Sequence, residues 1–369
     1  MAPLLDIAPL HPSSHMSKPL LFPTSVVGSL PRPAFVLDLI NDRPPVSSEQ
    51  YANEMQAAVR YAVAMQEHAG LDVVTDGEWW RKSYIGVIAE LAHGFELGTA
   101  PDGRPMTVVV DKLTPKTPGF IAREVTFLKT ITNRLIKSTL PSPALLGERM
   151  WNAELSSKAY PNRDDFVRDC VPILRGELEL VRDAGADIVQ IDDPHLCLFV
   201  DPDVRGRYAD PDAAAAFAVD MVNEVISGIS GVKIAVHLCR RAGGRARGEV
   251  CHGGGYGPII RHLNNLQAHH LTMEFTAPEA GDMDVFRELR EDYEIGLGCV
   301  DVTPGRIDSA ETIVSRVRKA LQFLAPERIC LNPDCGFAPG SGAVVSLDET
   351  YHKLSNEVEA ARILRAEFR

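Results

Sequence analysis

Eight short apolar runs, several rich in β-branched residues and separated by longer amphipathic stretches, constrain this chain more than any other feature. The predicted strands are Ser25–Ser29, Asp72–Thr75, Ile136–Leu140, Ile188–Asp192, Lys233–Leu238, Leu271–Glu274, Glu294–Val300 and Arg328–Leu331. Helical periodicity occupies Ser48–Ala69, Arg163–Ala184, Asp212–Ile229, Tyr256–Gln267 and Ala310–Leu324, and Asp308 with Glu311 reads as a capping box opening the last of these. Alternating strand and helix favours an all-parallel sheet, and eight such units favour closure into a (β/α)8 TIM barrel over an open sheet. The expected fold class is therefore α/β.

One stretch breaks the alternation. From about residue 94 to 134 the chain carries the run Thr107-Val108-Val109-Val110 and little helical signal, which reads as an inserted hairpin or lid. Residues 1–21 are rich in Pro, Ser and His and read as a disordered extension or cloning remnant. Residues 22–369 read as one catalytic barrel domain, since no linker, low-complexity segment or repeat interrupts them.

Charge and cysteine content narrow the function. A net charge of −12 argues against nucleic-acid or anionic-membrane partners, and no run approaches the ~18 apolar residues of a membrane span. Arg240, Arg241, Arg245 and Arg247 are a local exception that reads either as a solvated loop or as a contact for a substrate phosphate or carboxylate. Seven cysteines without a secretory signal fit a reducing compartment, the cytoplasm.

Polar residues cluster just after the strands: Gly28-Ser29, Asp76-Gly77-Glu78, Asp192-Asp193, His237 with Cys239, Glu274, Asp301 and Asp334-Cys335. In a barrel that rim carries the active site. His237 and Cys239 lie two residues apart, so on a strand both side chains point to one face. With Glu274 and Cys335 they make a four-ligand zinc set drawn from separate strands, which suits a catalytic ion more than a structural knuckle. Two buried cysteines and a core histidine would read the same way. Cys251-His252 beside Gly253-Gly254-Gly255 reads as a plain loop, and His269-His270 as a pair alternating between solvent and core. Asp192-Asp193 reads either as an acid/base pair or as a contact for a substrate amine.

At these positions the chain resembles the C-terminal catalytic barrel of cobalamin-independent methionine synthase. The matching segments are Val27-Gly28-Ser29-Leu30-Pro31, Thr75-Asp76-Gly77-Glu78, Gln190-Ile191-Asp192-Asp193-Pro194, His237-Leu238-Cys239, Met273-Glu274-Phe275, Gly298-Cys299-Val300-Asp301 and Asn332-Pro333-Asp334-Cys335-Gly336. The resemblance implies zinc on His237, Cys239, Glu274 and Cys335, with Ser29, Glu78 and Asp192 holding the amino-acid part of homocysteine. It also implies a thiol methyltransferase drawing its methyl group from a corrinoid, a folate or a small methylated metabolite, with a corrinoid protein as a possible partner.

The chain departs from that pattern in three places. Thr303 stands where the synthase has the histidine thought to move protons, which makes His195, beside Asp192, the candidate proton-transfer residue. Asp193 shortens the family's glutamate. The long N-terminal half that helps the full-length synthase bind polyglutamyl folate has no counterpart here. The arginine-rich loop and Gly253-Gly254-Gly255-Tyr256 are similar to short relatives that include epoxyalkane:coenzyme M transferase. That similarity implies an epoxide-opening thiol transferase or C–S lyase as the first alternative, and a non-catalytic corrinoid- or folate-binding barrel as the second.

Overall fold

A computed structural model describes residues 20–41, 44–99, 105–240, 252–338 and 345–368. The N-terminal segment to residue 19, Arg241, Arg245, Arg247 and Cys251 lie outside the described residues. The strands are β1 (Val73–Val74), β2 (Ala92–Thr99), β3 (Pro105–Pro115), β4 (Leu135–Pro141), β5 (Ile188–Asp192), β6 (Lys233–Leu238), β7 (His270–Glu274), β8 (Glu294–Val300) and β9 (Ile329–Pro333).

Seven of them form one parallel sheet in the order β1-β4-β5-β6-β7-β8-β9. Residues 24 and 25 close it. Thr24 bridges Leu331 of β9 and Ser25 bridges Val73 of β1, both parallel. Backbone bonds run from Ser25 N to Leu331 O (3.1 Å), Leu331 N to Pro23 O (2.8 Å) and Val73 N to Thr24 O (3.0 Å). The fold is thus a (β/α)8 barrel, but its first strand, expected over residues 25 to 29, shrinks to a two-residue seam. Prolines at 23, 31 and 33 remove amide donors on both sides, so a longer ladder has little to build on.

The C-terminal helix Leu347–Glu367 fastens this seam from outside. Glu357 accepts from Ser25 N at 3.1 Å, while Arg365 donates to Leu21 O, Phe22 O and the Asp72 carboxylate at 2.8, 2.9 and 2.6 Å. Helix Ser48–Ala69, capped by Ser47 and stopped by Gly70 at φ 95°, buries Met55, Val59, Ala62 and Val63 against the barrel. Among the described residues no helix is long and apolar enough to cross a membrane.

The insert is an antiparallel ribbon of β2 and β3, separate from the barrel sheet. It bulges between His93 and Phe95, where Gly94 adopts φ 112°. A helix the sequence pattern does not show, Ala122–Leu128, follows it. Its N-terminus is held by Glu177, which accepts from the amides of Gly119, Ile121 and Ala122 at 2.7, 2.6 and 3.0 Å.

Two other expectations are corrected. The stretch Tyr256–Gln267 forms only a 3-10 turn, Gly257–Ile259, and one helical turn, Ile260–Leu263. Gly257-Pro258 and Asn264-Asn265 flank it with poor helix formers. The helix Ala310–Ala320 is capped by Ser309, whose side chain accepts from Thr312 N. Asp308 instead pairs with Arg316 at 2.5 Å.

Candidate functional site

The predicted residues gather at the carboxyl rim in two groups joined by Asp192. The first is the thiol corner. Adjacent strands β6 and β7 bring His237, Cys239 and Glu274 together, and the turn after β9 adds Cys335; all four are buried. The sulfurs of Cys239 and Cys335 stand 3.1 Å apart, and none of the described cysteines is in a disulfide. Glu274 Oε2 accepts from Arg240 N at 3.1 Å. His237 Nδ1 lies 3.0 Å from Asp192 Oδ1. A carboxylate can only accept, so the imidazole proton sits on Nδ1 and Nε2 keeps its lone pair. Among the described residues that buried Nε2 has no hydrogen-bond partner.

Among the described residues no group of three or more His, Cys, Asp and Glu side chains is arranged to hold a metal ion as it stands. The donor chemistry nevertheless fits one. A buried, lone-pair-bearing imidazole nitrogen backed by a carboxylate is the usual outer-shell arrangement of a metal-binding histidine. Two thiolates on a tetrahedral ion with ~2.3 Å bonds sit roughly 3.8 Å apart. The sulfurs therefore need to separate by less than about 1 Å from their present contact.

The second group is the carboxylate corner. Asp76, Glu78, Glu124 and Asp192 are all buried, and the cations facing them are Arg81, Arg32 and, for Asp192, Lys137. Four acids outnumber the three cations, and among the described residues Asp76 Oδ2 has no hydrogen-bond partner. Glu78 sits at φ 59°, a left-handed conformation costly for a non-glycine residue. Burial raises its carboxyl to about 7; Arg81 pulls it down, Asp192 up, and Arg32 and the Thr139 hydroxyl down. Asp192 Oδ1 also accepts from Gln190 Nε2 at 2.8 Å.

Ser29 hangs between the corners. Its carbonyl accepts from Phe337 N at 3.0 Å and its hydroxyl from Ala338 N at 3.1 Å. A Cβ on Gly336 would meet Ser29 Oγ at 2.4 Å, so only glycine lets the Cys335 turn pass this close.

Other sequence candidates lie elsewhere. His195, on the helix Pro194–Leu198, turns its Nε2 to the Tyr208 hydroxyl at 3.3 Å, in a polar cluster with Glu148 and Arg163. Burial lowers its pKa to about 4, with Glu148 opposing and Arg163 and Arg149 reinforcing, so at neutral pH it is a base and not an acid. Asp193 caps the same helix through Leu196 N at 2.9 Å, and burial raises its carboxyl to about 7. Thr303 N donates to Asp301 Oδ1 at 2.8 Å, and the buried Lys353 amine donates to Thr303 O at 2.7 Å. His252 pairs with Asp201 at 2.8 Å, and His269 is exposed while His270 is buried against Glu294.

Sequence reasoning missed Arg81, Glu124, Thr139 and Tyr84. Burial, and after it the negative field of Asp192, Cys239 and Cys335, holds the Tyr84 phenol well above its ordinary range against the pull of Arg149. Thr139 could have been found from the period-two alternation of β4, which turns it inward. Nothing in spacing pointed to the Arg81–Glu124 pair.

A closed (β/α)8 barrel with thiols, an imidazole and carboxylates on its carboxyl rim defines the structural class. Within it, this chain belongs to the family described as Cobalamin-independent synthase, Catalytic domain, whose profile matches residues 22–363. It is 29% identical over 364 residues to a Methionine synthase of Saccharolobus islandicus, covering 96% of this chain and 98% of that one. It is 27% identical over 361 residues to a Methionine synthase of Pyrococcus horikoshii, covering 95% of each. Among solved structures it resembles a B12-independent methionine synthase from Shewanella sp. W3-18-1 in complex with selenomethionine, with a TM-score of 0.77 and 23% identity, covering 94% of this chain and 99% of that one.

Proposed function

We propose that this protein is a zinc-dependent enzyme that transfers a methyl or other alkyl group to a thiol, with homocysteine, converted to methionine, as the acceptor its rim suits best. The carrying observation is that Asp192 joins the two corners. It holds the imidazole of the thiol corner at 3.0 Å and belongs electrostatically to the acid-rich corner around Glu78. A substrate bearing both a thiol and an ammonium group fits that pair. Relatives named methionine synthase support the reading.

His237, Cys239, Glu274 and Cys335 would hold the zinc. Bound there, zinc supplies a Lewis acid that lowers the pKa of a thiol while leaving its sulfur nucleophilic. The chain's own residues do the rest by orientation. Asp192 fixes the His237 tautomer, and Glu78 with Asp192 accepts the substrate ammonium. The Ser29 backbone amide would donate to the substrate carboxylate, and the Ser29 hydroxyl, which accepts from Ala338 N, keeps its own proton to donate beside it. The sulfur, held in line with the donor, forms its bond to carbon as the bond from carbon to the leaving group breaks. The donor is a corrinoid, a folate or a small methylated metabolite. Six described cysteines without a disulfide support a cytoplasmic setting.

Zinc analysis of the purified protein, with homocysteine binding followed by calorimetry before and after chelation, tests the proposal. The expected result is stoichiometric zinc and binding that chelation removes and added zinc restores. Equal binding without the metal overturns it.

A further inference from the structure

The carboxylate corner contains a chain of buried hydrogen bonds whose direction is forced once Glu78 is ionised. Arg81 Nε and Nη2 donate to Glu124, with a closest approach of 2.6 Å, and Arg81 Nη1 donates to Thr139 O at 2.9 Å and Thr139 Oγ1 at 3.0 Å. A guanidinium can only donate, so Thr139 Oγ1 must accept there. The hydroxyl then has one proton left, and its remaining partner is Glu78 Oε1 at 2.9 Å. Glu78 Oε1 is thereby committed as an acceptor, and Oε2 is the oxygen left to meet a substrate. The backbone of Glu78 is fixed too. Its amide donates to Asp76 Oδ1 at 2.9 Å and its carbonyl accepts from Arg32 Nη2 at 2.8 Å. A Cβ on Gly28 would meet Glu78 Oε1 at 2.8 Å and the Thr139 methyl at 3.0 Å, so the glycine makes room for this rotamer.

We propose that Thr139, held by Arg81 and its ion-pair partner Glu124, is a positioning residue that fixes Glu78 for an ammonium group and makes the site select thiols carrying a primary amine. The inference rests on the reading of Glu78 as the amine contact. Glu124 comes from the helix after the inserted ribbon, so that insert reaches Glu78 through two intervening side chains, Arg81 and Thr139. The charged groups facing Glu78 are Arg81, Arg32, Asp192 and Glu124, with Asp76 on its backbone amide. Burial holds its carboxyl near 7, and losing the Thr139 hydrogen bond pushes it higher.

The test compares zinc-loaded wild type, Thr139→Val and Thr139→Ser, measuring dissociation constants for homocysteine and for its des-amino analogue 4-mercaptobutanoate across pH. Valine keeps the shape and removes the hydroxyl. We expect Thr139→Val to lose about ten-fold of the preference for homocysteine, and its acid limb of binding to move to higher pH. Zinc content, the folded circular-dichroism spectrum and 4-mercaptobutanoate binding stay as in wild type, and Thr139→Ser restores preference and limb together. An unchanged preference and limb in Thr139→Val, or a serine that fails to rescue, overturns the inference while leaving the amine site intact. A wild type that does not prefer homocysteine to the des-amino thiol removes the amine-binding reading itself, and this inference with it.

Discussion

The two corners of the rim are built to opposite rules. The carboxylate corner is already cross-linked: Glu78, Thr139, Arg81 and Glu124 form a continuous buried network, tied to the preceding loop by Arg32. Among the described residues the thiol corner offers His237 Nε2 no hydrogen-bond partner, and its two sulfurs are in contact and too close together for a tetrahedral ion. One corner is rigid before anything binds, and the other gains its final geometry from what it binds. A site of this kind grips the constant part of its substrate with preformed contacts. It keeps the adjustable contacts where bonds change.

Cys335→Ser tests the comparison most severely. It should lower both zinc stoichiometry and thiol transfer, the latter by at least about a hundred-fold, as metal analysis and a methyl-transfer assay would show. Full occupancy with full activity would remove the metal from the thiol corner. Next in size is Glu124→Gln, which strands the Arg81 guanidinium without its anion. Denaturant unfolding should show a loss of about 3–5 kcal/mol with zinc content unaffected, and a loss near zero would mean that the carboxylate corner is not held by this pair.

A smaller effect is the pH dependence. The Glu78 carboxyl is raised from 4.5 to about 7, so kcat/KM for an amine-bearing thiol should rise as pH climbs through 7 and Glu78 ionises. The sign for folding is opposite. A raised carboxyl pKa contributes stability that is complete below pH 4.5 and lost as pH rises through 7, so Glu78→Gln should lose the activity limb while flattening this part of the stability profile. The smallest effect belongs to His195→Gln. With the imidazole turned to Tyr208 and uncharged at neutral pH, kcat should change by less than about three-fold, and a ten-fold drop would restore His195 to the proton path.

What sequence could and could not show follows the same division. The strands were legible because a parallel sheet buried on both faces writes itself as short continuous apolar runs. His237 and Cys239 were legible because a two-residue spacing on a strand has a geometric meaning. Arg81, Glu124 and Thr139 come from three segments with no fixed spacing, and their partnership exists only after the barrel has closed. The start of the helix at Ala310 was read correctly, but its cap was misplaced by one position because Asp308 and Ser309 are both good caps, and Asp308 is instead taken up by its ion pair with Arg316. Helix Ala122–Leu128 was missed because the carboxylate that holds its first turn, Glu177, lies more than fifty residues away.

The seam at Thr24 and Ser25 has a further meaning for how such a protein comes into being. Ser29 is hydrogen-bonded to Phe337 and Ala338, and Ser25 is bonded to Leu331 and Glu357. On a ribosome, the earliest part of the barrel can meet Val73 early, but its second edge waits for Leu331 until nearly the whole polypeptide has emerged. These contacts of very long sequence separation predict slow final closure. The nascent chain passes through most of its synthesis with neither an assembled pocket nor a closed sheet edge, which makes chaperone protection most valuable just before the last helix is released.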